Sequence, residues 1–431
     1  MGLRAALTRL AARAATPVFV VRGMGSLPVV NALKTCPDIN FVRTPRQASV
    51  LVVAGTIPAT MYPALLLVHD QLAPPRGVVL AMSSLPTDLT GPGFHRPVTA
   101  TSPEDAVDAV IGMQRDLLYG SRPTSLPLLP DTDPTPWRGV GPYGQGGKGM
   151  TGGTPFGRPM PTVADDRDGL KLDRLNVRIG PFLPFLPPGL AFDMALQGDL
   201  VQEVALLDNP FRAASTLPSP ENIFVSAIRE PVAVRELEFV RAAHHLRYIA
   251  DVLDVHGLSA LGRRAWDLST RVGEVTPAEI RGLRRMLERQ RSLEWATRGV
   301  ACIPGGAVAD LAPGPVARAC GVPDDHRTQL DEYHALGFRP AVTSGGDACA
   351  RWRLRLKEVE ESLRMARLDG AASQTGGRGR FEAPWGTISQ THSPMPALVE
   401  LLPVLLRGVD WGDAVSAIVS LGIDLEEAAR V

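Results

Sequence analysis

The stretch that most constrains this chain runs from Arg43 to Gln71, RTPRQASVLVVAGTIPATMYPALLLVHDQ. Within it, Val50 to Ala54 is a short continuous apolar run, rich in β-branched residues and closed by Gly55 and Pro58. A run of this kind reads as a strand buried on both faces, as in a parallel sheet lying under helices. Met61, Ala64, Leu65, Val68 and Leu72 then follow helical spacing, so the strand feeds a helix that returns across the sheet. The loop between them lies at the carboxyl end of the strand, where open α/β sheets usually place a site.

The flanking sequence continues the pattern. Pro17 to Val21 reads as a first strand, followed by the turn Gly23-Met24-Gly25-Ser26 and a helix from Pro28 to Lys34. Gly77 to Met82 reads as another strand. Ser102-Pro103-Glu104-Asp105 offers a capping hydroxyl, a proline at the first turn and acids behind it, opening a helix to about Leu118. Residues 1–120 are therefore expected to form one small doubly wound α/β domain.

Residues 121–172 are rich in Pro and Gly and read as a linker, either flexible or wrapped on a partner. Gly139, Gly141 and Gly144 satisfy G-x-G-x-x-G, but no strand precedes them and no helix follows. Pro142 stands where a phosphate loop needs its first glycine ahead of Gly147-Lys148, so nucleotide binding is not expected here.

From Leu175 the pattern changes. Leu190 to Gln197 and Leu200 to Leu206 form an expected hairpin about Gly198-Asp199. Helices are expected over Pro231 to His256, Thr276 to Thr297, Asp347 to Leu368, Pro396 to Leu406 and Gly412 to Leu421. Residues 173–431 thus read as a mostly α-helical domain with a small N-terminal β element.

Charge and cysteine usage narrow the function classes. With 45 basic and 45 acidic residues the net charge is zero, so the electrostatic footprint of a nucleic-acid binder is missing. No apolar run is long enough to span a bilayer. The first nineteen residues are basic without acids, which suits an organelle targeting peptide or, preferably, an amphipathic helix lying on a membrane or partner. Cys36, Cys302, Cys320 and Cys349 lie far apart with no CxxC pair; they read as reduced thiols, the alternative being ligands that converge from distant segments. His244 and His245 are adjacent on a helix and point about 100° apart, so they do not chelate one metal, and His256 lies three turns on.

The Arg43–Gln71 stretch resembles the cluster-bearing small subunit of respiratory complex I and its group 4 nickel–iron hydrogenase relatives. The second half is similar to the large subunit that pairs with it. The motifs are Arg235-Glu236-Leu237-Glu238 with His245-Leu246, then Gly314 to Val322 (GPVARACGV) with Arg327. Gly346-Asp347, Ala350-Arg351 and Glu358 to Leu363 follow, then Glu382-Ala383-Pro384-Trp385-Gly386 and His392-Ser393-Pro394 onward. The resemblance implies a natural fusion of the two subunits. Its fold would be an α/β flavodoxin-like parallel-sheet domain followed by a hydrogenase-large-subunit-like helical domain. It also implies a peripheral place on the cytoplasmic face of the membrane, against membrane subunits of an ion-translocating assembly.

The ligands the family requires are missing. The resemblance puts its cluster cysteines at Gly23 to Pro28, near Ser83 to Leu85 and near Thr99 to Pro103, so Met24, Leu27 and Leu85 mark former ligand positions. A thioether is a weak ligand and leucine none, so no iron–sulfur cluster is expected. Neither CxxC pair of a nickel–iron centre is present. The family's quinone-binding loop reads Gly180 to Gly189 (GPFLPFLPPG) here, without its His, and no Tyr stands near Asn222 to Ser226, so quinone binding by those donors is not expected. Arg235, Glu238, Asp347 and Arg351 occupy family-like positions and are expected to form a buried ionic network, structural or ligand-binding. No catalytic set is recognisable. Two functions follow from the resemblance: a docking or coupling subunit without cofactors, or an oxidoreductase subunit passing electrons to quinone. A small ligand in the former quinone cavity is a third.

Overall fold

The Val50–Ala54 run is strand β3, and every one of its residues is buried. The structure, a computed structural model, describes residues 3–83, 85, 94, 96–130, 162–165, 169–212, 222–303 and 314–430. Helix α1 (Leu3–Ala11) precedes strand β1 (Thr16–Arg22), helix α2 (Leu27–Thr35) and strand β2 (Ile39–Phe41). After β3 come α3 (Tyr62–Gln71), β4 (Gly77–Ala81), β5 (Val98–Ala100) and α4 (Pro103–Tyr119). All five strands run parallel in the order β2-β1-β3-β4-β5. That order is the flavodoxin-like one, with its switch point between β1 and β3. The short β2 and β5 are not apparent from sequence, because three-residue edge strands carry too little apolar pattern to register.

Alternation along the strands divides two cores. Val18, Val20, Val50, Val52 and Val79 pack with Val29, Val30 and Leu33 of α2 and Val110 and Met113 of α4. Phe19, Val21, Leu51, Val53, Val78 and Leu80 face the other way, toward Met61, Leu65 and Leu72 and on into the second half of the chain. Both faces are apolar because both are covered.

Most of the linker expected over 121–172, including Gly139 to Gly144, lies outside the described residues. Its first residues, up to position 130, are bound to the α/β domain: His69 Nε2 lies 2.8 Å from Ser125 Oγ, and the Asp70 carboxylate accepts from Leu128 and Leu129 N–H. Its far end joins a four-stranded antiparallel sheet made of β6 (Thr162–Asp165), β7 (Lys171–Ile179), β8 (Phe192–Gln197) and β9 (Leu200–Leu206). The expected hairpin is β8–β9; β7 and β6 extend it.

Helix α5 (Asn222–Arg229) and strand β10 (Pro231–Ala233) lead into α6 (Val234–Val255), so the long helix starts three residues later than expected. Residues 231–233 pair instead with β11 (Gln374–Gly376). Helices α7 (Ser259–Thr270), α8 (Pro277–Arg289) and α9 (Arg291–Thr297) follow. The single helix expected from Thr276 to Thr297 is thus two, broken where Gln290 leaves helical geometry at ψ 75°. Then come α10 (Pro315–Ala319), α11 (Asp331–Ala335), α12 (Ala348–Ala366), the β12 (Arg380–Ala383) and β13 (Gly386–Ser389) hairpin, α13 (Met395–Glu400), α14 (Leu402–Leu406), α15 (Trp411–Leu421) and α16 (Leu425–Ala428). The helix expected over Pro396 to Leu406 divides at Leu401, ahead of Pro403 at the start of α14. Among the described residues no helix is long and apolar enough to cross a membrane.

Candidate functional site

At the β1/β3 switch point the chain closes on itself. Met24 and Thr56 exchange backbone hydrogen bonds of 2.9 Å each, bridging the loops after β1 and β3. Two glycines permit the approach: a Cβ at Gly23 would collide with the Thr56 carbonyl, and one at Gly55, which sits at φ +74°, with that of Met24. Met24, Ile57 and Met61 are at most 2% exposed. The loop after β3, the first place to look for a site, is therefore filled by the protein's own backbone and apolar side chains.

The other positions at which the resemblance expects cluster ligands are no closer to such a site. Leu27 opens α2 and Leu85 is a half-buried residue packed on the core. Cys36 caps the opposite end of α2, and Cys349 is buried in the first turn of α12. Among the described residues no three His, Cys, Asp or Glu side chains form a group able to hold a metal. These residues do not fit an iron–sulfur cluster. The Gly180–Gly189 loop, where the resemblance expects quinone donors, does not fit a quinone either. Phe182 and Leu186 are core residues, Pro184 to Pro188 present hydrocarbon to the cleft described below, and Phe224 stacks on Phe381 and meets Trp385 edge-on.

The densest chemistry lies where α6 meets α12. Glu238 and Arg241 on one helix, and Arg355 and Glu358 on the other, face each other at helical spacing. Arg318 of α10 and the Asp325–Arg327 turn complete the cluster, with Glu382 of β12. Arg318 lies 2.9 Å from Asp325 Oδ2 and donates to Glu382 at 3.0 Å and Glu358 at 3.1 Å. Arg327 grips Asp325 with two donors, at 3.0 and 2.8 Å, and also reaches Glu358 at 2.8 Å. Glu238 accepts from Arg241 at 3.1 Å and from the Tyr333 hydroxyl at 2.7 Å. Thr387 donates to Glu382 at 2.6 Å. The charged side chains that pair here are at most 1% exposed.

Four carboxylates here share three guanidiniums, Arg241, Arg318 and Arg327. Burial pushes the Glu382 carboxyl up, and the Asp325 charge beside it adds to that, to about 7. For Asp325 burial acts upward as well, but the Arg327 and Arg318 guanidiniums outweigh it and hold the carboxyl below its ordinary value. Glu238 is lowered in the same balance, by Arg241 and Arg327 against burial. Glu382 is thus the member poised to carry a proton.

Of the four residues expected to form an ionic network, only Glu238 enters this cluster. Arg235 donates to the Ala366 carbonyl at the end of α12. Asp347 caps the start of α12, accepting from Ala350 N–H at 2.7 Å and Gly299 N–H at 2.8 Å. Arg351 is buried apart, on the Ser420 hydroxyl and the Gly346 and Ala301 carbonyls. Three of the four serve backbone groups, and the cluster is built from residues far apart in sequence instead. His245 is fully buried with Nδ1 3.1 Å from Arg355, and burial drives its imidazole to the neutral form. His256 bridges the Val252 carbonyl and the Ser416 hydroxyl.

A cleft of about 930 Å³ opens between the α/β domain and the helices. Arg22, Lys34 and Phe41 line one wall, the Pro184–Pro188 segment another, and Trp266, Tyr248, Trp411 and Val415 part of a third. The two halves are tied across it. Lys34 Nζ sits 3.7 Å over the Trp266 ring and 3.7 Å from Asp251, Arg43 donates to the Asp254 carbonyl, and Gly25 N–H donates to the Glu426 carboxylate at 3.1 Å.

Residues 235–383 match the family model described as respiratory-chain NADH dehydrogenase, 49 Kd subunit. Every charged member of the buried cluster, from Glu238 to Glu382, falls inside that segment. The chain is 31% identical over 156 residues to the D 2 subunit of the NADH-quinone oxidoreductase of Rhizobium etli, covering 34% of this chain and 38% of that protein. Against the D 2 subunit of Sinorhizobium medicae it is 30% identical over 146 residues, 32% of this chain and 35% of that protein. Against the D subunit of Syntrophobacter fumaroxidans it is 34% identical over 109 residues, 23% of this chain and 29% of that protein. The similarity thus supports a complex I large-subunit character for the helical half, and each alignment spans less than half of the relative's length.

Proposed function

We propose that this chain is a peripheral-arm subunit of a complex I-like, membrane-associated assembly. In it a small-subunit-like domain (1–120) and a large-subunit-like domain (173–431) are fused through the linker of 121–172. It carries neither an iron–sulfur cluster nor a nickel–iron centre and serves as a docking or coupling element, seated from the cytoplasmic face on ion-translocating membrane subunits. The observation that carries this reading is the Met24–Thr56 bridge. It fills the switch point with backbone and hydrocarbon at a position where the resembling subunits need thiolates. Thiolates are indispensable because each iron of such a cluster takes one protein ligand. Exposed apolar side chains suit a docking role: Leu7 and Leu10 on α1, and Val163, Leu172 and Leu175 on the antiparallel sheet.

A second reading is an active electron-transfer subunit that passes electrons to quinone. The name NADH-quinone oxidoreductase borne by the similar proteins favours it. Iron analysis and an absorption spectrum of anaerobically purified protein decide between the two. Docking predicts colourless protein with substoichiometric iron that co-purifies with membrane subunits; stoichiometric iron with a charge-transfer spectrum sinks it.

A further inference from the structure

The interlobe cleft holds two donors that nothing among the described residues satisfies. Trp266 is 3% exposed, lines the cleft, and its indole Nε1–H has no acceptor there. Arg22, at the end of β1, lines the same cleft, and its buried Nε–H is likewise unpartnered among the described residues. An indole N–H buried without a partner costs free energy unless something fills the space before it. Four of the acids on the same walls are engaged. Asp251 and Asp254 face Lys34 at 3.7 and 3.9 Å, Glu426 receives Gly25 N–H, and Asp424 caps α16. None of them is spent on the Arg22 Nε–H. Phe41, Phe185, Leu186, Trp411 and Val415 supply hydrocarbon to the lining, beside further polar residues that include Arg247 and Asp413.

We infer that this cleft binds an amphipathic anion, its carboxylate or phosphate head accepting from Arg22 and Trp266 and its apolar body lying against Phe41, Phe185 and Trp411. The inference does not depend on the docking role. A neutral acceptor would satisfy the indole but leave the guanidinium without its counter-charge, whereas an anion does both. A bare inorganic anion would leave the apolar wall wet, and the cleft volume is of the size that ordinary ligand sites reach.

Calorimetric titration of the full-length protein with octanoate, octyl phosphate, inorganic phosphate and 1-octanol tests this. One equivalent of octanoate or octyl phosphate is expected to bind, and the tighter of the two identifies the head group. Inorganic phosphate and 1-octanol are each expected to bind about tenfold more weakly or worse, lacking the body or the charge. Arg22→Met, checked for folding by circular dichroism, should weaken the favoured anion by about tenfold. Trp266→Phe should weaken it by a smaller factor. Equal affinity for 1-octanol, equal affinity for inorganic phosphate, or unchanged binding in a folded Arg22→Met protein would each overturn the inference.

Discussion

Glu382 is held where a proton and a guanidinium compete for it. Its carboxyl titrates near 7, against an ordinary value of 4.5, because it is fully buried and Asp325 lies beside it. Between those two pH values the folded chain keeps a proton that the unfolded chain releases. By linkage, the Glu382 contribution to stability falls as pH rises through that window and is flat above it. Glu382→Gln removes the slope while keeping an acceptor for Thr387. Its melting temperature relative to the parent should therefore rise from pH 5 to pH 8; a constant difference across that range would refute the assignment. Asp325→Asn takes both oxygens' charge away from Arg327 and should destabilise by about 3–5 kcal/mol, measured by denaturant unfolding. Part of that loss is returned at pH 8, since without Asp325 the Glu382 carboxyl ionises more readily and pairs with Arg318. Combining the two substitutions should accordingly cost more than their sum. The i, i+3 pair Glu238 and Arg241 is legible along one helix, and Glu238 is indeed a residue the sequence singles out. Pairings across 40 residues (Arg318 with Glu358) and 64 residues (Arg318 with Glu382) are set by how α6, α10, α12 and β12 pack. Local spacing holds no record of that packing, so Arg235, Asp347 and Arg351 look equally eligible until their backbone partners are seen.

Helix ends decide what α12 can present to the cluster. Asp347 ties its first turn to Gly299 as well as capping it, so Asp347→Ala loses an N-cap and a loop contact together. A cost of about 1–2 kcal/mol is expected, with Asp347→Asn recovering most of it, read from thermal or denaturant midpoints. The parallel strands, α4 with its Ser102 cap and α8 with its Thr276–Glu279 capping box are legible in the sequence because each depends on residues within one turn or one strand. The break at Gln290 and the diversion of Pro231–Ala233 into a strand are not, because there packing overrides a sequence able to continue the helix. The break at Leu401 has a local cause in Pro403, which cannot sit in a helix interior without losing a hydrogen bond. Gly55 is the local exception with a long-range cause. Its φ of +74° and the Met24 carbonyl against it leave no room for a side chain, so Gly55→Ala should be among the most damaging single substitutions in the α/β domain.

Among the polar contacts that tie the two halves around the cleft, Lys34 makes two. Its ammonium lies over the Trp266 ring and faces Asp251 and Asp254, with about a fifth of the side chain exposed. An exposed ion pair is worth about 0.2–1 kcal/mol, and an ammonium over an indole about 0.5–2 kcal/mol. Lys34→Met keeps the hydrocarbon over the indole and loses only these terms. Lys34→Glu does more, because it sets a third carboxylate against two. Asp254 already bears the strain: burial first, and the Asp251 charge as well, raise its carboxyl above the ordinary value despite Lys34. Reversing the sign should therefore open the cleft, which small-angle scattering would register as a larger radius of gyration and protease cleavage as new cuts between the halves. The opening should shrink in 1 M salt, where charges are screened within about 3 Å, while the small Lys34→Met effect stays put. If both variants respond to salt alike, the attraction across the cleft is not electrostatic, and the halves are held by apolar contact alone.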